Sequence, residues 1–455
     1  MSIYDLIIIG TGSGNTIITP QYDDLNIAII EKGTFGGTCL NRGCIPSKML
    51  VYVADLLSEI SRATELGVTA EDVRVNWPEI QNRIFGRIDP IANSGEAYRK
   101  DLPNVTVLNE EASFVSQNEI HVGENIIRGD QIVIATGAVP LIPDIDGLSD
   151  IPFYTSDSIM RIKELPKRLA VIGGGYISTE LSHVFSAFGS EVVMLVRGDS
   201  LLTNEDFSIQ ERFVDAFQKR VDLRLKTTVT EVQQDGSGIE IKYAGTTSGS
   251  LYADAVLIAT GRLPDLNSLN VRAANIDTRN GYVWTDRNMR TSVNNIWALG
   301  DVTNPNQLKH TANAEARVIS HNIINEDLID VDLSPIPHAV FSNPQIASVG
   351  MTEQQLNHEG IRYVSAIEEY SSVAYGWAME DNTGLCKIIA DPATGLILGA
   401  HILGPQASTL IHQLIQGMKF GQTVKDLASG FLYVHPALSE VIENALLKVL
   451  SLCDL

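Results

Sequence analysis

Short, continuous apolar runs mark the predicted strands of the chain. Residues 4–10 (YDLIIIG) form one such run, and further runs at 27–30 and 131–134 end at Glu31 and at Ala135-Thr136-Gly137. Runs of this length without alternation are typical of strands that are buried on both faces of a parallel sheet. Because stretches long enough for a helix separate them, the pattern predicts βαβ units.

The same pattern restarts in the middle of the chain. Residues 168–172 (RLAVI) run into Gly173-Gly174-Gly175, a helix is predicted through Phe188, and residues 191–196 (EVVMLV) form the next predicted strand. A later run ends in Ala259-Thr260-Gly261, which mirrors the first Ala-Thr-Gly. We therefore predict an α/β protein with two Rossmann-like dinucleotide-binding domains.

Proline-rich segments separate the two copies from each other and from a third region. Pro140, Pro143 and Pro152 fall between the copies, and residues 333–337 (LSPIP) follow the second copy. Proline interrupts both helices and strand ladders, so these segments indicate domain boundaries. The third region has no glycine fingerprint and is predicted to be α+β, with strands at 339–341 and 386–389 and a helix at 438–450.

The net charge and the cysteine content limit the classes of protein to which this chain can belong. The 455 residues hold 33 Lys plus Arg against 55 Asp plus Glu, a formal charge of −22, which opposes broad contact with a phosphate backbone and excludes nucleic acid as a general partner. Four cysteines are too few for a disulfide framework in a chain of this size, so we expect a cytoplasmic protein. No Lys or Arg precedes Lys32 and no apolar run approaches the roughly 18 residues of a membrane helix, so neither a signal peptide nor a membrane span is expected.

The first glycine fingerprint is Gly10-Thr11-Gly12-Ser13-Gly14-Asn15, with Asn15 at the usual place of the third glycine. Glycines here let the backbone turn tightly and approach a pyrophosphate at the start of a helix, and the carboxylate of Glu31 suits ribose hydroxyls. The helix that would follow is compressed and contains Pro20. By itself the motif is also compatible with a glycine turn that binds nothing.

The second fingerprint, Gly173 to Ser178, again lies between a predicted strand and a predicted helix. The next strand is followed by Arg197 in place of an acidic residue. A carboxylate there suits the free 2′-hydroxyl of NAD, whereas a guanidinium suits the 2′-phosphate of NADP, so NADP is favoured. An unremarkable surface arginine is the alternative. Two dinucleotide sites in one chain are most economically explained by a bound flavin and a nicotinamide that reduces it.

Cys39 and Cys44 stand five residues apart in a glycine-rich segment that ends in Pro46-Ser47-Lys48. On a regular helix this spacing corresponds to a rise of about 7.5 Å, beyond the roughly 7 Å across which two Cα atoms can be bridged by a disulfide. A disulfide between them would therefore require a distorted loop or a distorted helix start, and it would be labile and redox-active rather than structural. A metal site lacks further ligands at suitable spacing, and two buried thiols are the other alternative.

Taken together, these motifs resemble the class I flavoprotein disulfide reductases, which are FAD-dependent pyridine nucleotide-disulfide oxidoreductases. The resemblance extends over essentially the whole chain. It rests on the two glycine fingerprints, the Cys39–Lys48 segment, Ala135-Thr136-Gly137, Ala259-Thr260-Gly261-Arg262, Ala298-Leu299-Gly300-Asp301, and His435-Pro436 with Glu440.

The resemblance implies two cofactors, FAD and NADPH, with NADH possible as the nicotinamide, and no metal. Glu31 and Asp301 would hold FAD, the latter near its ribityl and pyrophosphate region. The residues implied to bind the cofactors are Gly10, Gly12, Gly14, Glu31, Thr38, Ala135, Thr136, Gly137, Asp301, Gly173, Gly175, Arg197 and Gly261.

The same resemblance implies the catalytic residues. Cys39 and Cys44 would form a redox-active disulfide, with Cys44 as the thiolate beside the flavin and Cys39 as the thiol that attacks the substrate disulfide. Lys48 would lie near the flavin and pair with Glu180, where a cation stabilises a reduced, anionic flavin. His435 and Glu440 would form an acid/base dyad that the other subunit of a homodimer contributes, because a thiol leaving group needs a proton.

The resemblance also implies a division into domains. Residues 1–147 and 265–334 would form two parts of one FAD-binding domain, residues 148–264 the NAD(P)-binding domain, and residues 335–455 the interface or dimerisation domain. The first fold would thus be split around the second, because Asp301 returns to the FAD site.

Departures from the family pattern bear on the substrate, a small-molecule disulfide. Four features look most like the branch that reduces mycothione, the disulfide of mycothiol. They are the fingerprint GTGSGN, Pro20, GPQAS at 404–408, and Tyr433, which stands where lipoamide dehydrogenases have another histidine. Alternatives are an NAD-dependent dihydrolipoamide dehydrogenase, another class I reductase, or a flavin-binding redox sensor or scaffold without catalysis. The nicotinamide stays open, because Thr203 stands where related reductases have a second arginine, with Glu205 and Asp206 close by.

Overall fold

The computed structural model describes residues 2–236 and 238–455. Its strands, in chain order, are β1 (Ser2–Ile9), β2 (Ile27–Ile30), β3 (Val105–Leu108), β4 (Ala112–Phe114), β5 (Glu119–Val122), β6 (Asn125–Ile134), β7 (Val139–Pro140), β8 (Tyr154–Thr155), β9 (Arg168–Ile172), β10 (Glu191–Leu195), β11 (Asp222–Arg224), β12 (Thr227–Asp235), β13 (Gly238–Gly245), β14 (Gly249–Ala253), β15 (Ala255–Ile258), β16 (Arg262–Leu263), β17 (Thr278–Arg279), β18 (Tyr282–Val283), β19 (Ile296–Ala298), β20 (Pro337–Val340), β21 (Ile346–Gly350), β22 (Val364–Glu369), β23 (Leu385–Ala390) and β24 (Ile397–Leu403). Its α-helices are α1 (Gly37–Arg42), α2 (Cys44–Arg62), α3 (Trp77–Lys100), α4 (Tyr176–Ala187), α5 (Phe207–Phe217), α6 (Leu266–Leu269), α7 (Lys309–Ile324), α8 (Glu353–Glu359), α9 (Ala374–Ala378), α10 (Ala407–Lys419), α11 (Val424–Ser429) and α12 (Ser439–Leu450).

The first sheet has the strand order β3-β2-β1-β6-β5-β4, with β19 added on β6. Strand β1 pairs in parallel with β2 and β6, and β19 also pairs in parallel with β6. Ile7 and Ile8 point to opposite faces and both are completely buried, as expected for a parallel sheet covered on both sides. Strand β19 comes from beyond the second copy, so the chain returns to complete the first sheet.

The second sheet has the order β11-β10-β9-β15-β8 and is parallel throughout. It is the repeat expected from the second apolar pattern, and the predicted Rossmann-like α/β class is confirmed. The two Ala-Thr-Gly segments lie side by side where the sheets meet. Strands β7 and β16 pair there, Thr260 Oγ1 donates to the Leu141 carbonyl (2.7 Å), and Arg262 Nη2 donates to the Ala138 carbonyl (2.7 Å).

The third sheet, β20-β21-β24-β23-β22, is antiparallel. Helices α10, α11 and α12 pack on it around a separate apolar core. The predicted C-terminal helix over 438–450 corresponds to α12. These three sheets lie within the expected domain limits, whereas the small β7–β16 sheet crosses one of them, and the boundaries at 147, 264 and 334 stay predictions. No helix within 2–236 and 238–455 is both long and apolar enough to cross a membrane.

The helix expected after the first fingerprint is absent, and that expectation was wrong. The segment between β1 and β2 holds two short 3-10 turns, Gly14–Thr16 and Pro20–Tyr22, and no α-helix. Pro20 has no N–H and a fixed φ, so a helix that starts at the fingerprint cannot continue through it. The loop therefore presents its own N–H groups and short turns, without the dipole of a long helix.

Candidate active site

The two cysteines meet at a break between two helices. Cys39 lies in α1, Cys44 begins α2, and Gly43 between them has φ −135° and ψ −120°, so it belongs to neither helix. A Cβ atom at Gly43 would lie 2.9 Å from the Thr38 carbonyl oxygen, which explains the glycine. This is the distorted helix start that the five-residue spacing required, and it brings the two thiols into hydrogen-bond contact.

The contact makes the two thiols unequal. The hydrogen bond from Cys44 lowers the pKa of Cys39 to about 7, and the charges of Lys309 and Lys48 act in the same direction. Donating that hydrogen raises the pKa of Cys44, and burial raises it further. A thiol with a pKa near 7 is about half thiolate at neutral pH and is a good nucleophile. Cys386 and Cys453 lie apart from the pair, and burial raises the pKa of both.

Lys48 and Glu180 are brought together by α2 and α4. Lys48 Nζ lies 2.6 Å from Glu180 Oε2, and the other oxygen, Oε1, accepts the backbone N–H of Phe341 (2.9 Å). Lys48 Nζ also lies 4.8 Å from the centre of the Phe341 ring. The buried Glu180 carboxylate therefore connects the cysteine helix, the helix of the second fingerprint and the start of the C-terminal region.

The first fingerprint loop packs tightly on two backbone segments. Gly10 has φ +102°, and a Cβ there would lie 2.3 Å from the Ala135 carbonyl oxygen. A Cβ at Gly37 would lie 2.6 Å from the Gly12 Cα atom. The glycines thus draw Ala135-Thr136-Gly137 and the start of α1, with Thr38, against the loop. Gly14 packs in the same way, since its Cβ would lie 2.6 Å from that of Ala135.

Two carboxylates stand at the carboxyl ends of β2 and β19 in this sheet. Glu31 accepts the N–H groups of Thr11 (3.0 Å) and Gly33 (2.9 Å). Asp301 lies in the turn Gly300–Val302, and burial raises its pKa. Apart from its own backbone N–H, no group among the described residues donates to the Asp301 carboxylate. A half-buried acceptor without a side-chain partner, beside a glycine loop, fits a hydroxyl-rich part of FAD.

The second fingerprint leaves open space at its last glycine. Gly173 (φ +136°) packs on Ala259, whose carbonyl oxygen would lie 2.2 Å from an added Cβ. By contrast, a Cβ at Gly175 or at Gly261 would have no neighbour within 4 Å. Gly175 directly precedes α4. The free surface at these glycines fits close approach of a second dinucleotide to a helix N-terminus.

Arg197 follows β10 and is exposed, and it forms no ion pair with any described residue. The two nearby acidic residues are buried and face the C-terminal region. Glu205 lies 2.6 Å from His338 Nε2 and accepts the Ser348 hydroxyl. Asp206 lies 2.7 Å from Lys387 Nζ and caps α5. Neither carboxylate is therefore available to oppose an anion beside Arg197.

His435 and Glu440 form a pair at the start of α12. His435 Nδ1 lies 2.7 Å from Glu440 Oε1, and Glu440 Oε2 accepts the Ala437 N–H (3.1 Å). The hydrogen bond to His435 lowers the pKa of Glu440. The imidazole is 72% exposed, and its Nε2 has no hydrogen-bond partner among the described residues. Among the described residues, no hydrogen bond or ion pair of one chain joins His435 or Glu440 to Cys39 or Cys44.

Two residues of the site were missed by the sequence reasoning. Tyr176 is the first residue of α4, within the second fingerprint, and burial together with the charge of Asp301 raises its pKa to about 12. Its position directly after Gly175 was the available signal. Lys309, the first residue of α7, donates to Ser13 Oγ (2.8 Å) and acts on Cys39. No motif marks Lys309, because it meets Ser13 only through the fold.

Comparison with known proteins agrees with this arrangement. Residues 4–317 match the model of the pyridine nucleotide-disulphide oxidoreductase family, and residues 336–446 match that of its dimerisation domain. Mycothione reductase of Mycobacterium tuberculosis (strain ATCC 25618 / H37Rv) is 44% identical over 460 residues, covering 98% of this chain and 99% of the relative.

A dihydrolipoyl dehydrogenase of Bacillus subtilis (strain 168) is 32% identical over 453 residues, covering 97% of this chain and 95% of the relative. Among solved structures, the HOCl-induced flavoprotein disulfide reductase RclA of Escherichia coli superposes with a TM-score of 0.87 at 28% identity, covering 98% of this chain and 100% of that chain. The similarity thus includes both sheets of the nucleotide-binding part and the C-terminal sheet.

Proposed function

Since this chain belongs to the pyridine nucleotide-disulphide oxidoreductase family, we propose that it uses NADPH to reduce mycothione, the disulfide of mycothiol. It is a flavoprotein disulfide reductase, and its cofactors are FAD and NAD(P)H. The observation that carries the choice of substrate is the 44% identity to mycothione reductase over nearly the full length of both chains. The net reaction is NADPH + H⁺ + RSSR → NADP⁺ + 2 RSH.

The residues at the carboxyl edge of the first sheet would hold FAD. Asp301 and Glu31 would accept its hydroxyl groups, and the N–H groups of the Gly10–Gly14 loop and of Thr38 would face its phosphates. Ala135, Thr136 and Gly137 would close the other side of the same cleft. When bound, the flavin supplies two-electron chemistry between a nicotinamide and a disulfide.

The chain's own residues account for the thiol chemistry. The Cys39 thiolate attacks one sulfur of the substrate disulfide, forming a mixed disulfide and expelling the first thiol. Cys44 then attacks the Cys39 sulfur, which expels the second thiol and closes the Cys39–Cys44 bond. The low pKa of Cys39 supports its role as the attacking group, because only the thiolate is nucleophilic.

His435 supplies the proton for the departing thiol in this proposal. Glu440 accepts from its Nδ1 (2.7 Å), which fixes the tautomer and leaves Nε2 free to hold a proton outward. A second copy of the chain must bring this group to the dithiol, as expected for a homodimer that shares its active site. The family's dimerisation domain, matched at residues 336–446, is consistent with that arrangement.

Exposed apolar side chains support the same pairing. After Cys44, helix α2 exposes Tyr52 (74%) and Leu56 (55%), and beside His435 the chain exposes Leu432 (97%) and Val434 (71%). Patches of this kind on a folded protein mark interaction surfaces. In a two-fold dimer each copy presents both patches, so the surface around His435 can cover the surface around the dithiol of its partner.

Arg197 supports NADPH as the nicotinamide. Its guanidinium is exposed without a counter-ion among the described residues, and Glu205 and Asp206 are already paired with His338 and Lys387. A 2′-phosphate would therefore meet one uncompensated positive charge. The second arginine position is Thr203, so we expect NADH to be used more slowly and not excluded.

A steady-state panel tests the function. Mycothione, glutathione disulfide and lipoamide are each assayed with NADPH and with NADH, and we expect mycothione with NADPH to give the highest kcat/KM. Equal or greater activity on lipoamide with NADH would identify a dihydrolipoamide dehydrogenase and overturn the proposal. A yellow protein without disulfide-dependent turnover would instead support a flavin-binding sensor or scaffold. The low cysteine content favours the cytoplasm as its compartment.

A further inference from the structure

Lys309 is a cation at the first fingerprint loop to which the proposed function gives no role. It is the first residue of α7 and is half-buried. Its Nζ donates to the hydroxyl of buried Ser13 at 2.8 Å, and Ser13 Oγ in turn donates to Asn313 Oδ1 (3.1 Å), one turn further along α7. The ammonium group is therefore held against the loop at a defined place, although lysine side chains are usually mobile.

Several hydrogen-bond donors at this place have no acceptor. An ammonium group has three N–H donors, and the bond to Ser13 is the one hydrogen bond of Lys309 within the described ranges 2–236 and 238–455, where it also forms no ion pair. The backbone N–H groups of Gly12 and Ser13 likewise have no acceptor in those ranges. Because partly buried donors without a partner are costly, their convergence at one loop favours an anion as the missing partner.

The loop lacks the positive charge that a dinucleotide-binding fold usually supplies. The N-terminus of the helix after the fingerprint ordinarily contributes roughly half an elementary charge toward a bound pyrophosphate. Here two short 3-10 turns follow the loop instead. The proposed cofactor cleft also contains the carboxylates of Glu31 and Asp301. A pyrophosphate at this loop therefore needs a cation from another element.

The fingerprint has one further cation within hydrogen-bond distance among the described residues. Arg99, at the end of α3, donates through Nε to Asn15 Oδ1 (2.8 Å) and through Nη2 to the Asn15 carbonyl (2.7 Å). Both bonds go to the last residue of the fingerprint. Lys309 instead contacts Ser13, which lies between Gly12 and Gly14. Lys309 is therefore the cation at the glycine turn itself.

We propose that Lys309 binds the pyrophosphate of FAD and takes the place of the missing helix as the positive group at the first fingerprint. The inference rests on the proposed function, in which FAD lies against the first sheet with its phosphates at the glycine loop. The ammonium would donate to a phosphate oxygen with the N–H groups that Ser13 does not use. Charge-assisted hydrogen bonds to phosphate are roughly twice as strong as neutral ones, so this contact would contribute strongly to the affinity for FAD.

The affinity for FAD tests this without turnover. Flavin is removed from the holoenzyme with potassium bromide at acid pH, the refolded apoprotein is titrated with FAD, and the change in flavin fluorescence gives Kd. For Lys309→Met we expect Kd to rise at least about tenfold, and Lys309→Arg should stay within about threefold of the wild-type protein. Because salt screens a charge contact, the ratio of the Lys309→Met Kd to the wild-type Kd should fall as KCl rises from about 50 mM to about 500 mM.

The phosphorus signals of bound FAD report whether Lys309 acts at the pyrophosphate. In ³¹P NMR spectra of the holoenzyme, we expect Lys309→Met to shift at least one pyrophosphate signal from its wild-type position. Lys242→Met is the control, because it removes a cation that is paired with Glu231 (2.9 Å) on the separate β12-β13-β14 sheet, and it should leave both the signals and Kd unchanged. If Lys309→Met fails to fold or to retain flavin, Lys309→Gln repeats both measurements.

A rise in Kd of less than about threefold in the folded Lys309 variant would overturn the inference. An equal rise in Lys242→Met would also overturn it, because the effect would then reflect net charge. A raised Kd with unchanged phosphorus signals would assign Lys309 a purely structural role at the loop and would likewise reject phosphate binding. The substrate panel is independent of these results. A protein that needs Lys309 for FAD affinity but reduces no disulfide would contradict the proposed function and leave this inference in place.

Discussion

Glu180 Oε2 lies 2.6 Å from Lys48 Nζ, while Glu180 Oε1 accepts the N–H of Phe341 at 2.9 Å. The carboxylate side chain is 5% exposed and the lysine side chain is 34% exposed, so the two partners differ in how well water can replace a lost contact. We expect Lys48→Met, which leaves the buried carboxylate without its cation, to lower the free energy of unfolding by about 3 kcal/mol.

Glu180→Gln is the matched variant for that pair. It leaves a lysine that water can reach, and the amide oxygen can still accept from Phe341, so we expect a loss of about 1 kcal/mol. Urea unfolding of both variants, monitored by circular dichroism, measures the difference. Equal losses, or a larger loss in Glu180→Gln, would show that burial of the carboxylate does not set the stability of this contact.

The two thiols differ in pKa, which predicts different effects of their loss. Cys39→Ser removes the nucleophile, and we expect disulfide reduction to fall more than a thousandfold, while rapid flavin reduction by NADPH in stopped flow stays within twofold. Cys44→Ser should keep a reactive Cys39 that is trapped as a mixed disulfide after one turnover. If Cys39→Ser reduced the substrate at a normal rate, the assignment of the attacking thiol would be wrong.

A dyad that the other subunit contributes, as proposed for His435 and Glu440, predicts complementation between subunits. His435→Gln should lower kcat by about 10² to 10⁴, and Cys39→Ser should be inactive. A heterodimer that combines the two variants has one complete site if each site uses both chains, so mixing and refolding should restore about a quarter of wild-type activity. Glu440→Gln refolded with Cys39→Ser serves as a parallel pair. No recovery with either pair would contradict a shared site.

The uncompensated Arg197 predicts a change in KM and not in kcat. Arg197→Leu should raise the KM for NADPH at least tenfold, because one charge-assisted contact to a phosphate contributes about 1.5–3 kcal/mol. The KM for NADH, which lacks that phosphate, should change less than twofold. Arg224→Leu is the control, since Arg224 is already paired with Asp222 (2.7 Å). Parallel increases for both nucleotides would remove Arg197 as the selective contact.

Buried His183 predicts the acid sensitivity of the fold. Its side chain is completely buried, with Nε2 at 2.7 Å from Asp55 Oδ1, and burial lowers its pKa. Below pH ~6.5 the unfolded chain binds a proton that the folded chain excludes, so the free energy of unfolding falls by up to about 1.4 kcal/mol per pH unit toward the folded pKa.

Urea unfolding between pH 5 and 8 checks this dependence. His183→Gln should flatten the slope below pH 6.5, although the variant is less stable at pH 7 because Asp55 and Arg220 lose their shared partner. His358→Gln, at an exposed position on α8, should keep the wild-type slope. A slope that does not change in His183→Gln would assign the acid sensitivity to other groups.

Local sequence patterns were sufficient to predict buried strands and the helix break between the two cysteines. The apolar runs at 27–30 and 168–172 coincide with β2 and β9, because strands buried on both faces must be apolar at every position. The cysteine spacing required a helix break, and Gly43 provides it. Such features depend on residues adjacent in the chain, so they could be predicted without a fold.

Contacts between segments that are distant in the sequence could not be predicted from such local patterns. The absence of a helix after the first fingerprint follows from Pro20, which is local to that segment. By contrast, Lys309 contacts Ser13, which lies 296 positions away in the sequence. Glu205 likewise pairs with His338, 133 positions away, and not with Arg197.

The sequence by itself therefore determined the family plan, the two nucleotide folds and the dithiol, since each resides in a short motif with its own backbone requirements. The tertiary structure alone decided which charges surround the dithiol and which are compensated. Electrostatic effects depend on distance and burial in space, and neither quantity is contained in the spacing of residues along the chain.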